Sequence, residues 1–185
     1  MCGRYFLDIH EATLEKWLSQ ANISFAHEEV FPSNQALVLV YDKQLQASVR
    51  SWGFLKWDSS KRIINARSET ISTSPFFKES YATQRAIVLA SGFYEWDPSK
   101  IRHVFTPQQD SLLYMAGVIQ EDTGNFAILT QASTHPVSTI HHRQPIMLQK
   151  ENIEAYITHH LDASLDTYLS VALNQHATIQ QATLF

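Results

Sequence analysis

From Ala36 to Leu148 the chain is a succession of short apolar runs, most of them closed by a turn signal. Runs of that length suit strands better than helices, and their number points to a sheet-rich fold. Ala36–Tyr41 reads as a buried strand ended by Asp42-Lys43, and residues 45–54 alternate as its hairpin partner. Ile63-Ile64, Ala86–Ala90, Phe93–Trp96, His103–Thr106, Leu112–Gln120, Phe126–Gln131 and Pro145–Leu148 continue the pattern, with Ser91-Gly92 as a kink or turn. Pro145 begins a strand or lies on an edge, because it has no N–H to donate.

Helical spacing is confined to the two ends. Asp8 and Glu11 make a capping-box pattern ahead of Leu14, Trp17, Leu18 and Ala21, which share one face of a helix near residues 9–21. Ile153, Tyr156 and Ile157 line a second helix, and Leu165, Tyr168, Leu169 and Leu173 a third. The expected fold is α+β: a mostly antiparallel, barrel-like β core with flanking N- and C-terminal helices. No repeat or Pro/Gly-rich linker divides the chain, so residues 1–185 read as a single domain.

Composition narrows the chemistry. A single cysteine, Cys2, cannot form an internal disulfide or a multi-cysteine zinc site. There is no HExxH, EF-hand loop, G-x-S-x-G, P-loop or dinucleotide fingerprint, so no metal and no cofactor is expected. No apolar run reaches the roughly 20 residues of a membrane span. The N-terminus lacks an apolar signal core, which predicts a cytoplasmic protein, nucleoid-associated if bacterial, with no membrane partner. The net charge of −4 argues weakly against nucleic acid, but residues 43–102 hold ten basic and five acidic side chains. That segment can make a basic face attractive to polyanions, or its charges can simply be solvated in loops.

Four short segments have chemical potential. Loss of Met1 before a residue as small as Cys2 would expose a 1,2-aminothiol, with an amine of pKa about 7.7–8.0 beside a thiol of about 8.5. Such a pair forms a Schiff base with an aldehyde and then closes a thiazolidine ring; otherwise Cys2 is a small apolar residue at a frayed end. Glu95, within Phe93-Tyr94-Glu95-Trp96, suits proton transfer if it is desolvated. In the alternative it shares a strand face with Phe93 and is merely solvated. Asn65-Ala66-Arg67-Ser68-Glu69 offers an orienting amide and a phosphate-binding fork, or a capped helix start. His141-His142-Arg143 offers imidazole chemistry, although neighbouring histidines on a strand would point to opposite faces.

Taken in order, Cys2-Gly3-Arg4-Tyr5, Pro32-Ser33-Asn34, Trp52-Gly53-Phe54, Asn65–Thr70, Gly92–Trp96 and His141–Pro145 resemble the SOS-response-associated peptidase (SRAP) family. Members of that family shield abasic sites in single-stranded DNA. The resemblance implies a positively charged groove over the N-terminus, and condensation of mature Cys2 with the aldehyde of a ring-opened abasic deoxyribose. By position, Cys2 would be the nucleophile, Asn65 would orient the N-terminal group and the sugar, and Glu95 would move protons. His141 would assist ring opening. Arg4, Arg67 and Arg143 would hold phosphates, and Trp52 or Phe54 would stack on a base. The expected partner is single-stranded DNA containing abasic sites, bound by a monomer, with lyase or self-reversal activity allowed by the same Schiff base. Two other functions stand beside this one: a cysteine-type (auto)peptidase, or hydrolase, using Cys2 with His141, and a non-catalytic single-stranded DNA binder.

Overall fold

A computed structural model describes residues 2–8, 10, 12–21, 29–56, 59–159 and 171–178. The apolar runs form strands, and so do several segments that carried no such run. In chain order these are β1 (Tyr5–Phe6), β2 (Glu29–Val30), β3 (Gln35–Asp42), β4 (Gln44–Ser51), β5 (Phe54–Lys56), β6 (Ser59–Ile63), β7 (Asn65–Arg67) and β8 (Arg85–Ala90). They continue as β9 (Gly92–Trp96), β10 (Arg102–Pro107), β11 (Leu113–Ile119), β12 (Phe126–Ala132), β13 (Arg143–Pro145), β14 (Met147–Leu148) and β15 (Leu173–Thr178). Among the described residues three short α-helices accompany them: α1 (Glu15–Ala21), α2 (Lys78–Thr83) and α3 (Ile153–Ile157).

An eight-stranded sheet in the order β13-β12-β11-β8-β3-β4, with β14 against β11 and β7 parallel to β12, forms the middle of the molecule. Its alternating side chains enter two separate cores. Leu37, Leu39, Ile87, Leu89, Val118 and Leu129 pack on one side with Leu14, Phe77, Tyr81, Ile153 and Tyr156 from the helical segments. Ala36, Val38, Val88, Met115 and Ile128 pack on the other side with Cys2, Tyr5, Phe93 and Phe105. A five-stranded antiparallel sheet, β15-β10-β9-β1-β2, supplies that second wall. The three layers are therefore helices, sheet and sheet. β8 and β11 are covered on both faces, which is why they read as unbroken apolar runs rather than alternating ones.

The barrel-like core expected from sequence does not form. Among the described residues both sheets are open, ending at β4 and β13 and at β2 and β15, and they bury their apolar faces by stacking rather than by closure. The third expected helix also changes. Leu173 lies in β15 opposite Pro107, where it adds an outer strand to β10; Leu165, Tyr168 and Leu169 lie outside the described residues. Pro145 is on the sheet-edge strand β13, as its missing N–H requires.

Ser91-Gly92 is the junction that creates the site. It passes the chain from β8 in the larger sheet to β9 in the smaller one. A Cβ on Gly92 would lie 2.6 Å from the Phe105 carbonyl oxygen and 2.6 Å from the Phe6 ring, so only glycine fits.

Candidate active site

The N-terminal segment runs into the seam between the two sheets. Phe6 accepts from the Ser91 N–H at 2.8 Å and Arg4 accepts from the Tyr94 N–H at 3.0 Å, which fastens residues 4–6 along β9. Cys2 is thereby drawn into the second core and is fully buried. Its thiol approaches the Arg4 carbonyl at 3.7 Å. Burial, and after it the negative charge of Glu95, pushes the Cys2 thiol well above its usual range. The sulfur is neutral at pH 7 and is a weak nucleophile until a base takes its proton.

Asn65 reaches the same place from β7. Its Nδ2 donates to the Cys2 carbonyl oxygen at 2.8 Å across 63 residues of sequence. The Asn65–Glu69 segment is a strand followed by a 3-10 turn, not a helix start. β7 is held parallel to β12, with Asn65 opposite Ile128 and Arg67 opposite Thr130.

Glu95 follows the alternation that its neighbours predict, but the face is reversed. It does lie on the same face of β9 as Phe93, yet that face points into the core, and Glu95 is only 4% exposed. Burial raises its pKa, while the nearby charge of His142 opposes the shift. A carboxyl shifted upward by burial is better suited than an ordinary one to give a proton as well as take one.

His141 and His142 precede β13 rather than lying in it, so they do not diverge. Their rings stack, with centroids 4.4 Å apart and planes at 27°. His141 Nδ1 lies 3.0 Å from the Arg143 N–H, which donates to it in the Nε2–H tautomer, and 3.1 Å from the Arg143 carbonyl oxygen, which accepts from it when Nδ1 carries a proton. Burial lowers the pKa of His141, and the charge of His141 lowers that of the exposed His142.

The other expected DNA contacts separate. Arg67 is exposed, and its charge is felt by both Glu69 and His142. Arg4 projects to the far side of β1 and β9 from Tyr5 and Phe93. There its guanidinium lies 4.3 Å from the Phe31 ring and 5.0 Å from the Trp96 ring, 3.6 Å from Glu29. Trp52, Phe54 and Arg143 depart from expectation. Trp52 is fully buried between Tyr5 and Phe126, and Phe54 is buried against Phe76 and Phe77, so neither ring faces a base. Arg143 is 8% exposed, with its guanidinium against Glu69 and Thr130, and presents no open fork to a phosphate. Of the basic side chains in residues 43–102, Arg85 turns inward to the carbonyls of Tyr81 and Tyr156 and adds nothing to an outer face.

Sequence reasoning places Glu69 and His142 within their motifs but gives neither a role; the partner of Glu69, Arg143, lies 74 residues away. Among the described residues no group of three or more His, Cys, Asp or Glu side chains is arranged to hold a metal, and no helix is long and apolar enough to cross a membrane.

The whole arrangement falls within a match to a family model, "SOS response associated peptidase (SRAP)", over residues 1–182. The chain is 28% identical over 180 residues to the "Abasic site processing protein YoqW" of Bacillus subtilis, covering 85% of this chain and 80% of that protein. It is 28% identical over 170 residues to the "Abasic site processing protein YedK" of Escherichia coli, covering 82% and 77%. A crystal structure of a Bordetella bronchiseptica protein shares its fold, with a TM-score of 0.76 at 19% identity over 97% of this chain and 100% of that one.

Proposed function

The chain belongs to the SRAP family, and from that premise we propose that it processes abasic sites in single-stranded DNA by covalent capture at Cys2. The relatives named as abasic site processing proteins support the substrate class. The observation that carries the reading is the Asn65 bond to the Cys2 carbonyl, which fixes residue 2 beside the buried carboxyl of Glu95.

The chemistry follows from the protonation states. Once Met1 has left, the Cys2 amine attacks the aldehyde carbon of the ring-opened sugar. Glu95 or His141 Nε2–H donates to the departing oxygen, and one water leaves as the imine forms. The thiol then adds to the imine carbon, its proton passes by way of Glu95 to the imine nitrogen, and the thiazolidine ring is complete. A thiol that stays neutral waits for the imine instead of reacting indiscriminately. Reversal by the same groups takes up one water and releases the intact abasic sugar; lyase activity would instead branch from the imine, by loss of a C2′ proton and departure of the 3′-phosphate. Arg67, exposed on β7 two residues beyond Asn65, is offered to a phosphate beside the reacting sugar. The buried thiol, shifted upward, weighs against a peptidase mechanism of the kind that starts from a thiolate–imidazolium pair.

Met1-processed protein mixed with an abasic single-stranded oligonucleotide should give a retarded band on a denaturing gel. Cys2→Ala should give none. An equally stable band from Cys2→Ala would remove Cys2 as the nucleophile, and a band insensitive to the lesion would leave only a strand binder.

A further inference from the structure

The placement of Arg143 brings a buried guanidinium against Glu69 and Thr130. Its Nη2 donates to the Thr130 carbonyl, to Thr130 Oγ1 at 3.2 Å and to Glu69 Oε2 at 3.0 Å, while Nη1 donates to Glu69 Oε1. A carboxylate gripped by both ends of the fork fixes the plane and the position of the guanidinium. Its main chain is therefore fixed as well, and that main chain holds His141. Nδ1 lies 3.0 Å from the Arg143 nitrogen and 3.1 Å from the Arg143 carbonyl oxygen. The N–H and the carbonyl of Arg143 together grip the imidazole at Nδ1 whichever protonation state it adopts, which fixes the orientation of the ring.

Glu69 comes from the turn directly after β7, the strand that carries Asn65. One five-residue segment, Asn65–Glu69, thus grips the Cys2 carbonyl at its first residue and the His141 turn, through Arg143, at its last. Thr130 braces the middle: its Oγ1 also donates to the Ala66 carbonyl at 3.3 Å. We propose that Glu69 is a positioning residue that sets His141 against residue 2 by clamping Arg143, with the Asn65–Glu69 segment as the common ruler. The kinetic part of this proposal rests on the reaction described above.

Glu69→Gln keeps the size of the side chain and removes the charge that makes the clamp. In the Met1-processed full chain, the rate of crosslink formation at saturating abasic single-stranded DNA should fall about 10- to 100-fold, as expected when reacting groups are displaced by about an ångström. Affinity for the same oligonucleotide lacking the lesion should stay within about twofold, because the loss is in the bound state. Without DNA, the ring nitrogen signals of His141 in a long-range 1H–15N spectrum should change from a single Nε2–H tautomer to a mixture. Glu69→Asp, which keeps the charge on a shorter stem, should fall between the two and serves if Glu69→Gln does not fold. An unchanged tautomer would overturn the proposal. So would an unchanged rate joined to tighter binding of lesion-free DNA, which would make Glu69 a competitor of phosphate for Arg143. A wild-type protein that forms no crosslink, but whose His141 tautomer still responds to Glu69→Gln, would refute the reaction and leave the clamp standing.

Discussion

Trp52 provides the sharpest contrast between a DNA-stacking ring and a core ring. Its indole is fully enclosed, edge-on to Tyr5 at 5.1 Å and stacked on Phe126 at 6.3 Å with the planes 6° apart. Nε1–H donates to the Ile64 carbonyl at 2.9 Å. That carbonyl also accepts from the Ile128 N–H at 3.0 Å, so losing the indole does not orphan it and the hydrogen-bond part is only about 1 kcal/mol. Deleting a large buried aromatic costs about 3–5 kcal/mol through lost transfer energy and the cavity left behind. Taking about 4 kcal/mol for Trp52→Ala, at about 2–4 °C per kcal/mol for a chain of this size, Tm should drop by about 8–16 °C. Trp52→Phe keeps most of the packing and should lose about half as much. Calorimetric melts give the stability, and fluorescence anisotropy with a lesion-free single-stranded oligonucleotide, at a temperature where the variant is still folded, gives the affinity. Affinity should be unchanged. A Tm within about 2 °C of wild type joined to a tenfold weaker affinity would refute the core assignment and return Trp52 to the DNA surface.

Gly92→Ala forces a methyl against the Phe105 carbonyl and the Phe6 ring, and should lower the urea midpoint by the equivalent of about 1–3 kcal/mol; an unchanged midpoint would show that the junction relaxes freely. Glu95→Gln cannot exchange a proton, so crosslink formation or release at neutral pH should slow by about 10²- to 10⁴-fold and lose the carboxyl's part of its pH dependence, keeping that of the Cys2 amine, as followed by quenched-flow gels. Glu69 has the opposite acid–base bias. Its hydrogen bonds to Arg143 hold its pKa below the usual carboxylate value, so its stabilisation is complete above about pH 4.3 and fades as the pH falls through the folded-state value. The urea midpoints of wild type and Glu69→Gln should therefore converge as the pH is lowered from 6 towards 3, and a constant gap would contradict the pairing.

The strands were legible because their physics is local. Ala86–Ala90 and Leu113–Ile119 are covered on both faces and read as continuous apolar runs, while the hairpin from Gln35 to Ser51 showed its turn. Closure was not legible, since whether β4 meets β13 depends on sheet edges that no local pattern records. Leu173 belongs to a strand because β10 offers it an edge, and an apolar residue alone carries no period. The six-residue α2 had too few turns to announce itself; it is secured by Tyr81 in the core. At the site, the spacing of Phe93 and Glu95 gave their shared face but not its direction, because only the stacked second sheet decides which face is wet. The partners of Asn65 and Arg143 lie 63 and 74 residues away, so the amide's target and the guanidinium's carboxylate emerge only from the fold.

The central claim is covalent capture through the amine and thiol of residue 2, and intact mass spectrometry tests it most directly. Met1-processed protein incubated with an abasic single-stranded oligonucleotide should give one new species. Its mass should equal protein plus oligonucleotide minus one water, it should survive denaturation without borohydride, and Cys2→Ala should not form it. A borohydride-independent adduct of that mass from Cys2→Ala, or none from the processed wild type, would contradict the account.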